Sequence, residues 1–439
     1  MQISPCSSAM ARLRLVPALL AISVFVGCSA PALVEIPLTT AAIVIVSPPP
    51  AELGAADHEQ KFLRWVVEFR NSAGVAGIDE ETLKTAFDSV RFLPRVIESD
   101  QAQPEFTRNV WDYLDSAVSR QRVSRGQEKL FQLQPILGPI AVRYGVPTEI
   151  LVAIWGMESS YGSFTGDIST IDALATLGFE GRREQWARGQ LLAALKILQN
   201  HDVDRTQMLG SWAGAMGQTQ FLPSNFLAYA VDADGDGKRD IWGNVADVMA
   251  STANFVAHSG WQADQTWGTE VRLPPGFDYA RADADVRHPT SVWVEEGVKT
   301  MGGTPLPVLP DSSILLPAGA RGPAFLIGPN FRALLRYNNS TSYALAVGLL
   351  AQRLAGGGAT LAPWPRDLQA LTRTQLQALQ TALNVLGFDT GTPDGRVGPA
   401  TRHGVRLYQL SRGLPADGYP TGDLLQQGTA VAQPGPQGQ

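Results

Sequence analysis

The sequence predicts a mainly α-helical protein, α+β with a small sheet, carrying a separate three-helix module at its C-terminus. Three observations support this. Apolar residues recur at three- and four-residue spacing, as in Phe62, Trp65, Val66 and Phe69 and again in Leu191, Leu192, Leu195 and Leu198, which is the period of amphipathic helices. Strand-like runs are confined to short pieces such as Glu270–Leu273 and Ser291–Glu295, too little for a large sheet. A composition break from Gly356-Gly357-Gly358 to Pro363-Trp364-Pro365 then sets off the last part of the chain.

The 439 residues allow about three units. With 35 Lys+Arg against 41 Asp+Glu the net charge is 35 − 41 = −6, which argues against a nucleic-acid footprint. Residues 1–30 read as a secretory signal: the apolar run Leu13–Val26, with Arg12 and Arg14 at its start, is shorter than a membrane span of ~20 residues. The only cysteines are Cys6 and Cys28, so the body of the protein has neither a disulfide framework nor a Cys-based zinc site. Gly27-Cys28 resembles a bacterial lipobox, which implies lipidation of Cys28 and attachment at the periplasmic face of the outer membrane. Cleavage near Ala30 or Ala32, giving a free periplasmic protein, is the alternative. Residues 31–56 are low in charge, contain Ser47-Pro48-Pro49-Pro50 and read as a tether. The main helical region follows at 57–355, then a linker at 356–366, the module at 367–428 and a tail at 429–439.

In the module, Leu376, Leu379, Leu383 and Leu386 share one helix face, Gly387 is placed to end that helix, and Pro399 suits the first turn of the next. With the turn Pro393-Asp394-Gly395, then Gly398-Pro399-Ala400-Thr401, Gln409 and Asp417-Gly418, the module resembles the peptidoglycan-binding unit appended to cell-wall enzymes. A generic three-helix dimerisation unit is the competing reading.

One carboxylate stands out. Thr148 onward reads as a helix with Leu151, Ile154 and Trp155 on its apolar face, and Glu158 projects from that face before the stop Ser159-Ser160-Tyr161-Gly162. Desolvation and the negative end of the helix would both raise its pKa, as a general acid requires. A side chain that bends back to solvent fits the periodicity equally well.

Tyr144-Gly-Val-Pro, Ile154-Trp-Gly-Met-Glu158-Ser-Ser-Tyr-Gly162, and Gly210-Ser-Trp-Ala-Gly-Ala-Met-Gly-Gln-Thr-Gln220-Phe-Leu-Pro223 together resemble the membrane-bound lytic transglycosylase B family. The resemblance implies a lysozyme-like, mainly helical catalytic domain cutting the MurNAc–GlcNAc β-1,4 bond of peptidoglycan and leaving 1,6-anhydro-MurNAc ends. It implies that Glu158 is the sole catalytic acid and then base, with no cofactor required. It further implies substrate contacts at Ser211 and Gln220, and at Tyr337 and Asn338 in Arg336-Tyr-Asn. Arg182 and Arg183 are candidates for a substrate carboxylate, since Arg suits planar carboxylates. Hydrolytic glycosidases normally use a second carboxylate; the nearest, Asp167 and Asp172, are assigned to turn or capping roles.

Asp232-Ala-Asp234-Gly-Asp236-Gly-Lys238 has the first half of a calcium loop: carboxylates at one, three and five, and a backbone carbonyl at seven. Its twelfth position is Gly243, so closure would fall to the later Asp247, as in the longer EF-hand-like loop that the resemblance implies. A plain Asp-Gly turn is the alternative to a structural Ca2+ site. His58, His201, His258, His288 and His403 share no metal-ligand spacing. The expected protein is an exported monomer whose partner is the glycan strand of the wall, bound to the membrane if Cys28 is acylated. Its rivals are a hydrolytic muramidase and a non-catalytic wall-binding envelope protein.

Overall fold

Local signals place most helix ends. The structure, a computed structural model, describes residues 50–102 and 108–432, with side chains from Asp57 onward; the signal, Cys28 and residues 433–439 of the expected tail lie outside that range, while 429–432 continue the last helix. The first helix, α1 (Pro50–Val75), begins ahead of the expected boundary at Asp57 and buries Phe62, Trp65, Val66 and Phe69. Asp79 caps α2 (Glu80–Phe87) by accepting the Thr82 N–H at 2.7 Å. α3 (Pro94–Ala102) and α4 (Val110–Ala117) lead to α5 (Arg120–Tyr144), capped by Ser119 and ended by Gly145 at φ 67°. In α6 (Thr148–Ser159), Ile150 through Gly156 are all buried, so this helix threads the core and has no solvent face in its middle.

A two-stranded ribbon, β1 (Ile168–Ser169) with β2 (Leu209–Gly210), flanks the hairpin of α7 (Thr170–Glu180) and α8 (Glu184–Gln199). α9 (Pro223–Tyr229) and α10 (Val245–His258) complete this part of the core. A lobe is then inserted around an antiparallel sheet of β3 (Gly268–Arg272), β4 (Lys299–Thr300), β5 (Ser313–Leu315) and β6 (Ala324–Ile327), in the order β4-β3-β6-β5. Ser291–Glu295, expected as a strand, is instead the helix α11 (Thr290–Glu295). Pro289 sets a φ of −61° at its entry, and Thr290 and Trp293, three apart, are both buried, so lobe packing overrides the β-branched composition. α12 (Pro329–Tyr337) and α13 (Thr341–Leu354) return to the main core, where α13 packs along α6.

The module is α14 (Arg373–Val385), α15 (Pro399–Ser411) and α16 (Gly422–Ala432) around Leu376, Leu379, Leu383, Val405, Tyr408 and Leu424. Gly387, at φ 86°, follows α14, and Pro399 opens α15, both as the sequence predicts. The linker differs from the free tether its composition suggests. Glu270 accepts the N–H groups of Leu361 and Ala362 at 2.7 Å each, Trp364 lies against Trp111, and the Arg366 fork grips Asp115 at 2.7 and 2.9 Å. It is a strap joining the sheet lobe to α4. No single helix among the described residues is long and apolar enough to cross a membrane.

Candidate active site

Glu158 stands in the last turn of α6, and the chain beyond it is held in a costly conformation. Ser160, Tyr161 and Gly162 follow one another at φ 49°, 61° and 76°, where a non-glycine residue costs about 1–3 kcal/mol. The surroundings over-determine that turn. Ser159 Oγ donates to the Trp155 carbonyl at 3.2 Å and accepts the Gly162 N–H at 3.1 Å. The Tyr161 hydroxyl donates to the Arg122 carbonyl at 2.8 Å, and its ring fills space that only glycine leaves, since a Cβ at Gly156 would lie 2.6 Å from it.

The Glu158 carboxyl meets a partner that the sequence did not reveal. The Tyr343 hydroxyl, in the first turn of α13, donates to Glu158 Oε1 at 2.5 Å. Burial raises the Glu158 pKa to about 7, and the Tyr343 hydrogen bond opposes part of that rise. Glu158 as a residue stays half-buried, so its crowded carboxyl keeps a way out to a ligand. Burial and the Glu158 charge push Tyr113 up to about 12 and raise Tyr337 and Tyr343 well above the ordinary phenol value. All three therefore stay neutral donors. Tyr337 stacks on Tyr343 with ring centres 6.5 Å apart, and its hydroxyl donates to the Thr219 carbonyl at 2.8 Å. No local signal marks Tyr343 or Tyr113 apart from other tyrosines, because the link to Glu158 spans 185 residues for the former.

The small-residue loop forms the opposite support. Ser211 Oγ accepts the Ala215 N–H at 3.2 Å, and Gln220, at φ 50°, donates its side-chain amide to the carbonyls of Thr165 and Gly217, both at 3.0 Å. The glycines here are required by the protein's own packing: a Cβ at Gly210 would lie 2.1 Å from the Ala215 carbonyl, and one at Gly217 2.7 Å from that of Ile241. Gln218, missed in the sequence, locks this loop to α6. It accepts the Trp155 indole N–H at 2.8 Å and donates to the Trp242 carbonyl at 2.7 Å.

Other candidates are placed differently. Asn338 is exposed at the end of α12, its carbonyl accepting the Ser340 N–H at 2.7 Å. Arg182 spends its guanidinium on Asp100, whose side chain is 2% exposed, and Arg183 lies 4.2 Å above the Trp186 ring. No hydrogen bond or ion pair among the described residues joins either arginine to Glu158. Asp167 is exposed, whereas Asp172, expected in a turn or cap, forms a buried ion pair with Arg205 at 2.6 Å. Burial raises its pKa, and Arg205 opposes part of that rise.

Oxygens of Asp232, Asp234 and Asp247 lie within 4.8 Å of one another. Asp232 also accepts the N–H groups of Gly235 and Gly237 at 2.7 and 2.9 Å, and Asp236 that of Lys238 at 2.8 Å, so the Asp-Gly turn holds its shape through its own side chains. Asp247 is fully buried and accepts the N–H groups of Ala233 and Asp240 at 2.8 and 2.7 Å. Burial and the charges of Asp234 and Asp232 raise its pKa. Hard oxygen donors converging in this way fit a calcium ion.

Residues 61–352 match the transglycosylase SLT domain family, and residues 372–427 match the peptidoglycan binding domain family. The chain is 32% identical over 295 residues to membrane-bound lytic murein transglycosylase B of Escherichia coli, covering 64% of this chain and 79% of that protein. The structure of SltB3 from Pseudomonas aeruginosa in complex with NAG-anhNAM-pentapeptide is similar with a TM-score of 0.82 and 52% identity, covering 84% of this chain and 99% of that one. The Escherichia coli lytic transglycosylase Slt35 in complex with calcium is similar with a TM-score of 0.57 and 30% identity, covering 68% of this chain and 93% of that one.

Proposed function

The chain belongs to the SLT family of lysozyme-like peptidoglycan lytic transglycosylases, and from that premise we propose that Glu158 alone serves as acid and then base. The observation that carries this is a carboxyl with a pKa near 7, held by one phenol in a strained turn, while Asp172 is committed to Arg205. Protonated Glu158 gives its proton to the oxygen between MurNAc and GlcNAc as the C1–O bond breaks, and the 2-acetamido group stabilises the cation. The carboxylate left behind takes the proton of the C6 hydroxyl of the same MurNAc while that oxygen closes on C1. Glu158 is restored, one 1,6-anhydro end and one GlcNAc hydroxyl are formed, and no water is consumed. Tyr343 holds the carboxyl in line, and neutral Tyr113 and Tyr337 keep a second negative charge away from it. Ser211, Gln220 and Asn338 are proposed as substrate contacts, and Arg183 as a cation beside the groove. The test is digestion in heavy-oxygen water: products lighter by one water and free of label are expected, and labelled reducing ends would reject the single-acid reading.

The wall is the partner of both parts of the chain, which acts in the cell envelope. We assign 57–355 to cleavage and 367–428 to wall binding, and Cys28 to a lipid anchor, in keeping with the name of the membrane-bound relative.

A Slt35 structure holds calcium, and we propose that Asp232, Asp234, Asp236, Asp247 and the Lys238 carbonyl hold one here. Bound calcium would neutralise the mutual repulsion of the carboxylates and tie α10 to the loop before it. At a hundredfold excess over Kd, binding stabilises by about 2.7 kcal/mol, several degrees in Tm. Calcium should raise the Tm of the parent protein and leave Asp247→Asn unmoved; equal melting with calcium and with chelator would remove the site.

A further inference from the structure

Inside the C-terminal module the fold repeats itself. Positions on α14 recur on α15 at a shift of 402 − 373 = 29, so that Arg373, Gln377 and Gln380 correspond to Arg402, Arg406 and Gln409. Each glutamine clamps an Asp-Gly turn. Gln380 accepts the Gly395 N–H at 2.9 Å and donates to Asp394 Oδ1 at 3.3 Å; Gln409 accepts the Gly418 N–H at 2.8 Å and donates to Asp417 Oδ1 at 2.7 Å. In both turns the same Oδ1 accepts the N–H two residues on, from Arg396 or Tyr419, at 2.8 Å. The two glycines have φ of 72° and 71°, and the next helix begins five residues after each aspartate (399 − 394 and 422 − 417).

The outer faces of the two clamps differ. At the second, Asp417 Oδ2 accepts the Ala320 N–H at 2.7 Å, while Arg406 pairs with Asp283 at 2.6 Å and donates to the Ala282 carbonyl at 3.1 Å. The catalytic region therefore offers main-chain N–H and C=O groups to that clamp and covers it. At the first, no group of the catalytic region among the described residues is bonded to the clamp: Asp394 and Arg373 are exposed and Gln377 is half-buried, with Arg373 Nε donating to the Asp394 carbonyl at 3.2 Å and the Gln377 amide to the Pro393 carbonyl at 3.4 Å, which leaves the remaining N–H groups of both side chains facing out.

We propose that the Asp394 turn is where the module grips the wall, and that its ligand is the stem peptide of peptidoglycan, an N–H of which bonds to Asp394 while its carbonyls face Arg373 and Gln377. This rests on the assignment of 367–428 to wall binding. The covered clamp shows what the open one is shaped to take: a main-chain N–H on a carboxylate, a charge-assisted hydrogen bond, beside a carbonyl on a cation or amide. A peptide presents those two groups in alternation. A glycan strand presents its acetamido groups once per sugar.

The test measures binding of the full-length chain to intact sacculi and to glycan strands freed of stem peptides by an amidase. Asp394→Asn keeps an oxygen for the Gln380 clamp, so its Tm should match the parent, while binding to intact sacculi weakens roughly tenfold, the scale of one charge-assisted hydrogen bond. Removing the peptides should weaken parent binding by a similar factor, and Asp417→Asn should bind intact sacculi as the parent does. Undiminished binding by Asp394→Asn, or equal parent binding to peptide-free glycan, would overturn the proposal. Val405→Asp, which disrupts the module core, separates the two levels. If it also binds sacculi like the parent, the wall-binding assignment itself fails; if it loses binding while Asp394→Asn keeps it, only the Asp394 site fails.

Discussion

Glu158→Gln should lose at least about a thousandfold in turnover of purified peptidoglycan, since it removes both proton transfers and each is worth roughly 10²–10⁴. The same variant should be more stable than the parent at pH 8. The folded protein holds the Glu158 proton up to about pH 7, whereas the unfolded chain releases it near 4.5. Between those values the native state binds more protons, so this group costs stability as pH rises, reaching about 3 kcal/mol above pH 7. Gln keeps the shape and an oxygen for Tyr343, and carries no such cost. Thermal melts of the two proteins should coincide near pH 4.5 and separate by pH 8, with the variant higher. Parent activity should fall above pH 7 as the acid loses its proton. Near-parent turnover by the variant, or melts that stay together at every pH, would contradict the assignment.

Asp172→Ala should cost about 3 kcal/mol, because it leaves the largely covered Arg205 guanidinium, 13% exposed, without its carboxylate. Arg205 also donates to Ser169 Oγ at 2.8 Å and to the Ala86 carbonyl at 3.1 Å, so the loss spreads to β1, β2 and the last turn of α2. Turnover per folded molecule should stay within a few-fold of the parent at a temperature where both are folded. A second catalytic carboxylate would behave the other way, with large loss of turnover at unchanged Tm. Replacing both residues by apolar ones of similar size should recover much of the stability, as denaturant melts would show.

Periodicity and punctuation made most of the architecture legible. The stripe of α1, the Gly387 helix end, Pro399 at the start of α15 and the break after Gly356 depend on neighbours within a few residues. Where packing across the chain competes, local reading fails: Trp293 in the lobe core makes a helix of a β-branched run, and Glu270 and Asp115 pin a glycine-rich linker. At the candidate site, the apolar helix left Glu158 with two readings, and the family resemblance singled it out together with Tyr337 and Gln220. Tyr343, Tyr113 and Gln218 were not legible, since their partners are remote in sequence. Arg182 shows the converse, a residue suited by type to a substrate and already engaged by Asp100.

The sequence by itself determined a mainly helical protein with a carboxyl in the last turn of an apolar helix and a separate three-helix module, because helix period, caps and turn spacing are local properties, and its motifs carried the resemblance to wall-cleaving enzymes. Only the tertiary structure decided that this carboxyl has a pKa near 7 and a tyrosine partner, that Asp172 is tied up, and that one of two Asp-Gly clamps is covered. Desolvation and long-range hydrogen bonds are set by what folds against a residue, and spacing along the chain carries no record of that.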